Sequence, residues 1–360
     1  MKNSSRHLGI ILCTYNNEDN IQKAIESCQK ISKLFAKSKI VIIDDMSSDK
    51  TRDICMNFIK KEKDINIQLH SKTENKGVSD SRNIGIRATK ECDIVTFVDG
   101  DDEVIKDGWS EFANRMTTDL TDITAFSFIK EKGEVQENVG STNYLEGLVD
   151  SKELHKALLN YLMRPNKDHL FTVVWAKVYK RAILEGITFD TEMNNFEDLM
   201  FNITLIERVK SYSIFSEPGY KYTVNKPGTS LSNTSKRSIV STLTMNRKAM
   251  KKIKTVLQSS NIREQNKQTN ELSPYYHCSY AYISIIMSRE TASKCKNMSA
   301  LIKISREFSK FARTIKLRKY AMQYKYVTGG GPYMPYFCCR LGLYKFAVCC
   351  WYWHGLKARK

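Results

Sequence analysis

The sequence predicts an α/β protein with a mostly parallel central sheet flanked by helices. Two observations carry this. Short β-branched apolar runs alternate with segments whose apolar residues recur at helical spacing. The same runs end in polar or acidic clusters, as expected where functional groups gather at the carboxyl ends of parallel strands.

The elements follow in order. Leu8–Thr14 reads as a buried strand, and Ile21, Ala24, Ile25, Cys28 and Ile31 then mark one face of a helix. Ile40–Asp44 is a second strand, after which Ser48 or Asp49 caps a helix carrying Ile54, Cys55, Phe58 and Ile59. Ile65–Leu69 alternates as a strand, a small-residue helix runs from about Val78 to Thr89, and Ile94–Val98 is another buried strand. Farther on, a strand is expected near Ile123–Phe128, a helix near Glu153–Leu162, an extended stretch over Thr172–Tyr179, and a helix from Phe196 to Val209. Residues 237–320 read as helical and basic, and 321–353 are rich in Tyr, Phe, Trp and Cys. The expected organisation is an α/β unit over 1–235, divisible at 118/119, with a C-terminal region over 236–360.

Composition excludes several classes. The 41% apolar content over 360 residues is enough for a sizeable core. No apolar stretch reaches the roughly 20 residues of a membrane-spanning helix, and the N-terminal run is too brief for a secretory signal. The expected location is therefore cytosolic or peripheral to a membrane. Ten cysteines without zinc or CxxC spacing read as reduced thiols. The net charge of +18 is uneven: residues 246–360 hold 23 Lys and Arg against 4 Asp and Glu. Such a region predicts a negatively charged partner, namely anionic lipid, lipid-linked phosphate or nucleic acid.

The chemistry-bearing cluster is Asp99-Gly100-Asp101-Asp102, which follows a core strand. Three carboxylates so close repel one another and call for a cation. Oxygen-only ligands suit hard ions such as Mg²⁺ or Mn²⁺, which in turn bind phosphate oxygens. A second acidic strand end, Asp44-Asp45, opens onto the same crevice in a sheet of this kind. The first βα turn has no GxGxxG and no glycine-rich phosphate loop, which disfavours dinucleotide binding and a nucleotidyltransferase.

Five stretches together resemble the inverting glycosyltransferases of family 2, of the GT-A fold. They are Ile11-Leu12-Cys13-Thr14-Tyr15-Asn16, Ile42 to Asp49, Asn75 to Gly85, Asp99 to Asp102, and Asn195-Phe196-Glu197-Asp198. Met46 departs from the family, which usually has Gly or Asn there. The resemblance implies a nucleotide-sugar donor, a UDP-sugar foremost, and a glycan or lipid-linked acceptor in bacterial surface polysaccharide synthesis. It implies that Tyr15 lies against the base, that Thr14, Asn16, Asp44 and Asp45 shape its pocket, and that Arg82 pairs with phosphate or a neighbouring Asp. Asp101 binds donor or metal on this reading, with Asp99 and Asp102 as further metal candidates for Mn²⁺ or Mg²⁺. Asp198, beside Glu197, is the implied general base. Trp175 either floors the acceptor sugar or packs in the core.

Near the C-terminus, Ile304, Phe308, Phe311 and Ile315 recur at helical spacing among Lys310, Arg313, Lys316 and Arg318. A basic amphipathic helix of this kind, followed by the aromatics Tyr333 to Trp353, suits an anionic membrane surface across residues 303–353. A helical subdomain with internal aromatic packing is the alternative. Nucleic acid is not the expected partner.

Overall fold

The computed structural model describes residues 4–115, 120–139, 147–150, 153–154, 157–158, 171–193, 196–224, 248, 251, 255, 297–314, 318, 338–339 and 341–357. The chain divides into two compact units, one formed by Met1–Ala157 with Asp168–Asn225 and the other by Leu158–Lys167 with Lys226–Lys360.

The first unit is built in the expected order: β1 (Ser4–Thr14), α1 (Ile21–Ser32), β2 (Phe35–Asp44), α2 (Thr51–Lys61), β3 (Asn66–Ser71), α3 (Val78–Ala88) and β4 (Ile94–Asp99). Then come β5 (Glu103–Val104), α4 (Lys106–Arg115), β6 (Ile123–Lys132), β7 (Val135–Val139), β8 (Gly147–Asp150), β9 (Lys177–Lys180), α5 (Glu197–Leu205) and β10 (Ser211–Thr223). The sheet runs β3-β2-β1-β4-β9-β6-β10-β5, with β7 on β6 and β8 on β10. Strands β3, β2, β1 and β4 are parallel, β9 enters antiparallel between β4 and β6, and β6 and β10 are again parallel.

Periodicity explains the core. All five apolar positions expected on the inner face of α1 are fully buried, as are Leu8, Ile10 and Leu12 of β1 and Ile40 and Ile42 of β2. Helix α3 lies tight on β1 because Gly85 has no side chain: a Cβ there would stand 2.2 Å from Cγ2 of Ile11. Helix α4 inserts Trp109 and Phe112 against Phe126, and the indole N–H of Trp109 donates to the Gly219 carbonyl of β10 at 3.1 Å. The strand expected over Thr172–Tyr179 begins only at Lys177, with an isolated bridge from Trp175 to Phe97, and the helix expected to reach Val209 ends at Leu205. Of the helix expected over 153–162, the described residues 153–154 and 157–158 are helical.

In the second unit, α6 (Met298–Thr314) packs on α7 (Tyr344–Lys357). The Phe308 ring meets Tyr344 edge-on at 6.2 Å, and the Tyr344 hydroxyl accepts the Arg318 N–H at 3.2 Å. Phe308 is fully buried, so the apolar face expected to meet lipid is used at this position for internal packing. Tyr333, Tyr336 and Phe337 lie outside the described residues. Among the described residues, no helix is long and apolar enough to cross a membrane.

Candidate active site

Three strand ends meet at one edge of the sheet. Thr14 at the end of β1 is in register with Asp44 of β2, and Cys13 with Asp99 of β4. The turns beyond them are stitched together: Asp45 N–H donates to the Thr14 carbonyl at 2.9 Å, and Gly100 N–H to the Cys13 carbonyl at 2.8 Å. Asn16 joins the first turn to the second, donating its N–H to Ser47 Oγ at 2.9 Å and accepting the Ser48 N–H on Oδ1 at 2.8 Å. The acidic clusters, separate in sequence, therefore open onto one crevice. Beneath it lies the buried Cys13 thiol, pushed up to about 12 by burial first, with Arg82, Asp99, Asp45 and Lys72 all within its electrostatic reach.

The loop leading into α3 is held by Asp45. Its Oδ1 accepts the Lys76 N–H at 3.0 Å and pairs with Lys72 Nζ at 2.6 Å, while Oδ2 accepts the Gly77 N–H at 2.7 Å. A carboxylate offers about four acceptor positions, so three are spent on shaping the loop that leads into α3. Asp44, almost fully buried, accepts the Ser47 N–H at 3.1 Å, which makes it a turn former. Tyr15 is half-buried and Asn16 exposed at the mouth of this turn. Lys72, absent from the sequence-based candidates, also pairs with Asp80 at 2.7 Å. Its one readable signal is a cation at the carboxyl end of a strand beside an acidic strand end.

The resemblance allows Arg82 a phosphate or an aspartate, and the geometry gives it to aspartates. Its guanidinium is buried, with Nη1 on Asp198 Oδ1 at 2.6 Å and Nη2 on Asp99 Oδ1 at 3.0 Å. One rigid fork thus ties the acidic cluster to the start of α5, across 116 residues of chain. The second oxygen of Asp198 accepts the Val174 N–H at 3.3 Å. Burial lifts the Asp198 carboxyl to about 7; Arg82 opposes the rise, while Glu197 and Asp99 add to it.

The three acids of the 99–102 cluster separate in role. Asp102 is buried, and both its oxygens are engaged by β10: Tyr220 O–H donates to Oδ2 and Thr223 N–H to Oδ1, each at 2.8 Å. The same Tyr220 hydroxyl accepts the Asp99 N–H at 3.2 Å. Each Asp102 oxygen thus accepts one hydrogen bond from the strand that anchors the loop and keeps a further acceptor position, so this anchoring role stands beside its place among the metal candidates. Burial, then the charges of Asp101 and Asp99, push its carboxyl well above the ordinary range. Asp101 is half-exposed, and Asp99 keeps 27% of its side chain accessible. Gly100 permits the close approach of this loop to the first turn: a Cβ there would lie 2.6 Å from Thr14 Oγ1. No local pattern in the sequence points to Tyr220, because only a distant contact reveals it.

Of the two readings of Trp175, the geometry favours core packing. Its indole stacks on Tyr220 at 4.7 Å and on Tyr222 at 5.3 Å, meets Phe128 edge-on, and is only 7% exposed. That is a packing role beneath the site. Backbone strain gathers in the same place. The described non-glycine residues with positive φ are Asn16, Met46, Ala176 and Phe196, which adjoin Tyr15, Asp45, Trp175 and Glu197. Met46 stands at φ +65°, which gives a physical reason for the Gly or Asn usual at this position.

Among the described residues, no three His, Cys, Asp or Glu side chains are arranged to hold a metal ion by themselves. Such a set is compatible with Mg²⁺ or Mn²⁺ held by one or two carboxylates plus substrate phosphates. Asp101 and Asp99 would be the carboxylates to hold such an ion, and the electrostatic burden on Asp102 is the kind a neighbouring cation relieves.

Comparison with known proteins bears on this arrangement. Residues 9–188 match the family model described as Glycosyl transferase family 2. The chain is 27% identical over 184 residues to Glycosyltransferase GlyA of Streptococcus pneumoniae, covering 50% of this chain and 25% of that protein. It is 25% identical to the poly(ribitol-phosphate) beta-N-acetylglucosaminyltransferase TarS of Staphylococcus aureus, covering 62% of this chain and 36% of TarS. The chain thus spans about a quarter to a third of the length of these relatives. The crystal structure of S. aureus TarS 1-349 in complex with UDP-GlcNAc superposes with a TM-score of 0.57 at 18% identity, over 88% of this chain and 89% of that one. The mannosyltransferase PcManGT of Pyrobaculum calidifontis, in complex with GDP-Man and Mn²⁺, gives a TM-score of 0.52 at 13% identity, over 98% and 88%. The fold is the GT-A fold.

Proposed function

The chain belongs to glycosyl transferase family 2, and we propose that it transfers a sugar, with inversion, from a UDP-sugar to a hydroxyl of a bacterial surface glycan or its lipid-linked precursor. The observation that carries this reading is the Arg82 bridge, which sets a largely buried carboxylate of raised pKa beside the acidic loop of a nucleotide-sugar fold. The names of the relatives, which act on surface polymers, support the acceptor class.

In this mechanism Tyr15 lies against the base, and the loop held by Asp45 and Lys72 forms the wall of the donor site. Asp198 takes the proton from the acceptor hydroxyl as that oxygen attacks the anomeric carbon opposite the leaving diphosphate. A carboxylate near 7 suits this proton transfer, being basic enough to accept the proton yet substantially ionised at neutral pH. Arg82 fixes one carboxylate oxygen and leaves the other turned toward the Val174 amide, and Glu197 adds negative potential that favours proton uptake. A divalent ion at Asp101 and Asp99 would supply electrostatic stabilisation of the departing diphosphate. The working location we infer is the cytoplasmic side of the cell membrane.

The test is a panel of nucleotide sugars scored for nucleoside diphosphate release, with Mn²⁺, Mg²⁺ or chelator. Release from at least one UDP-sugar that is lost with chelator and lost in Asp198→Asn is the expected result. Turnover that persists in both would overturn the reading.

A further inference from the structure

The stretch from Phe171 to Lys177 passes beside the head of α5, where the buried side chains of Lys177, Tyr179 and Asn202 hold it. Asp198 and Asn202 stand one turn apart on α5 and share a face of the helix. Asn202 Nδ2 donates to the Phe171 carbonyl at 3.1 Å and to the Val173 carbonyl at 2.8 Å. Lys177 Nζ donates to that same Val173 carbonyl. The Tyr179 hydroxyl stands 3.1 Å from the Val174 carbonyl and 3.2 Å from Asn202 Oδ1, with one hydrogen to share between them.

The Val173 carbonyl and the Val174 N–H belong to one planar peptide. Fixing the carbonyl therefore fixes the direction of the N–H, and that N–H donates to Asp198 Oδ2 at 3.3 Å. Two features mark this clamp as more than core packing. Lys177 is only 3% exposed, and burying an ammonium costs far more than burying an apolar side chain of similar length. Ala176, beside it, holds φ +53°, a left-handed conformation that alanine keeps only where its surroundings enforce it.

We propose that Lys177 is a positioning residue for the transfer step, and that with Tyr179 and Asn202 it orients the Val173–Val174 peptide against the second oxygen of Asp198. The role rests on the reading of Asp198 as the base and extends it to the groups that hold that base. Arg82 on one oxygen and this amide on the other fix the plane of the carboxylate, as an aligned proton transfer demands. The charged groups facing Asp198 are Arg82 of α3, Asp99 of β4, Glu197 of α5 and Lys177 of β9. Lys177 and Arg82 favour the ionised carboxylate, against burial, Glu197 and Asp99. The Tyr179 phenol, which burial keeps protonated, is also within reach.

The experiment compares Lys177→Met with the milder Tyr179→Phe in the full chain. Isotope labelling of the aspartate carboxyls follows the titration of Asp198 by NMR, its signal identified by its absence in Asp198→Asn. Transfer is followed across pH as nucleoside diphosphate release, with the UDP-sugar that the donor panel selects. Lys177→Met removes a cation facing Asp198, so the NMR midpoint is expected to rise by about half a unit or more. The acid limb of kcat should move with it. Above that limb kcat should fall about tenfold through lost orientation, with donor KM little changed. Tyr179→Phe removes no charge, so the midpoint should stay in place while kcat falls about threefold or more. Circular dichroism reports whether each variant has folded. A folded Lys177→Met whose midpoint and kcat are both unchanged, with Asp198→Asn inactive, overturns the positioning role alone. If Lys177→Met does not fold, unchanged kcat in Tyr179→Phe overturns it. Near-normal transfer by Asp198→Asn is a different failure and removes the base reading itself.

Discussion

Arg82 Nη1 and Asp198 Oδ1 stand 2.6 Å apart, and the same guanidinium reaches Asp99 3.0 Å away on its other arm. A fork of two nitrogens is therefore shared between a carboxylate of the acidic loop and one at the head of α5. Lysine offers a point charge and not a fork, so Arg82→Lys cannot hold both at once. We expect this variant to lose at least about tenfold in kcat with donor KM changed much less, measured by nucleoside diphosphate release. A loss confined to KM would assign Arg82 to donor binding instead.

Asp198→Asn keeps the size and removes the base. Transfer should fall by about a hundredfold to ten-thousandfold, while UDP-sugar binding measured calorimetrically is retained. Near-normal transfer would exclude Asp198 from the proton transfer.

The pH dependence follows with a definite sign. Burial raises Asp198 to about 7, and only its deprotonated form can accept a proton. Activity should therefore fall as pH drops through about 7 and level off above it. Arg82 opposes the upward shift, so Arg82→Gln should move that acid limb to higher pH. A kcat profile flat through neutrality in the unaltered enzyme would contradict the assignment.

Asp101 and Asp102 are adjacent in sequence and should respond differently. Asp101→Asn should raise the Mn²⁺ or Mg²⁺ concentration needed for half-maximal activity. Tyr220→Phe deprives buried Asp102 of a donor and Asp99 N–H of an acceptor, a change worth about 1–3 kcal/mol of stability. Urea denaturation should show a lowered midpoint for Tyr220→Phe and little change for Tyr222→Phe. The reverse pattern would remove the anchoring role given to β10.

Trp175→Ala should destabilise the first unit by about 3–5 kcal/mol, because it empties a stacked aromatic site. Trp175→Phe, which preserves most of that packing, should leave acceptor KM unaltered. A large rise in acceptor KM with stability intact would restore the indole to the sugar site.

What is legible in the sequence is what local periodicity and strand-end chemistry encode. The buried face of α1 and the strands ending at Thr14, Asp44 and Asp99 follow from residues close together in the chain. Asp198 is reached only through a motif, since an acid in a first helical turn has an ordinary electrostatic explanation. Strand β10 escapes the pattern: Ser211–Thr223 mixes polar and aromatic residues around Pro218, and its register shifts there. The roles of Tyr220 and Lys72 depend on partners 118 and 27 residues away, which no local pattern carries. Trp175 is ambiguous in sequence for the same reason, because its stacking partners lie on β10.

The left-handed backbone at Met46 has a consequence for engineering. A side chain with a Cβ in that region typically costs about 1–2 kcal/mol, and glycine would remove the penalty. Met46→Gly is therefore a route to a more heat-tolerant protein, with the gain partly offset by the greater freedom of the unfolded glycine.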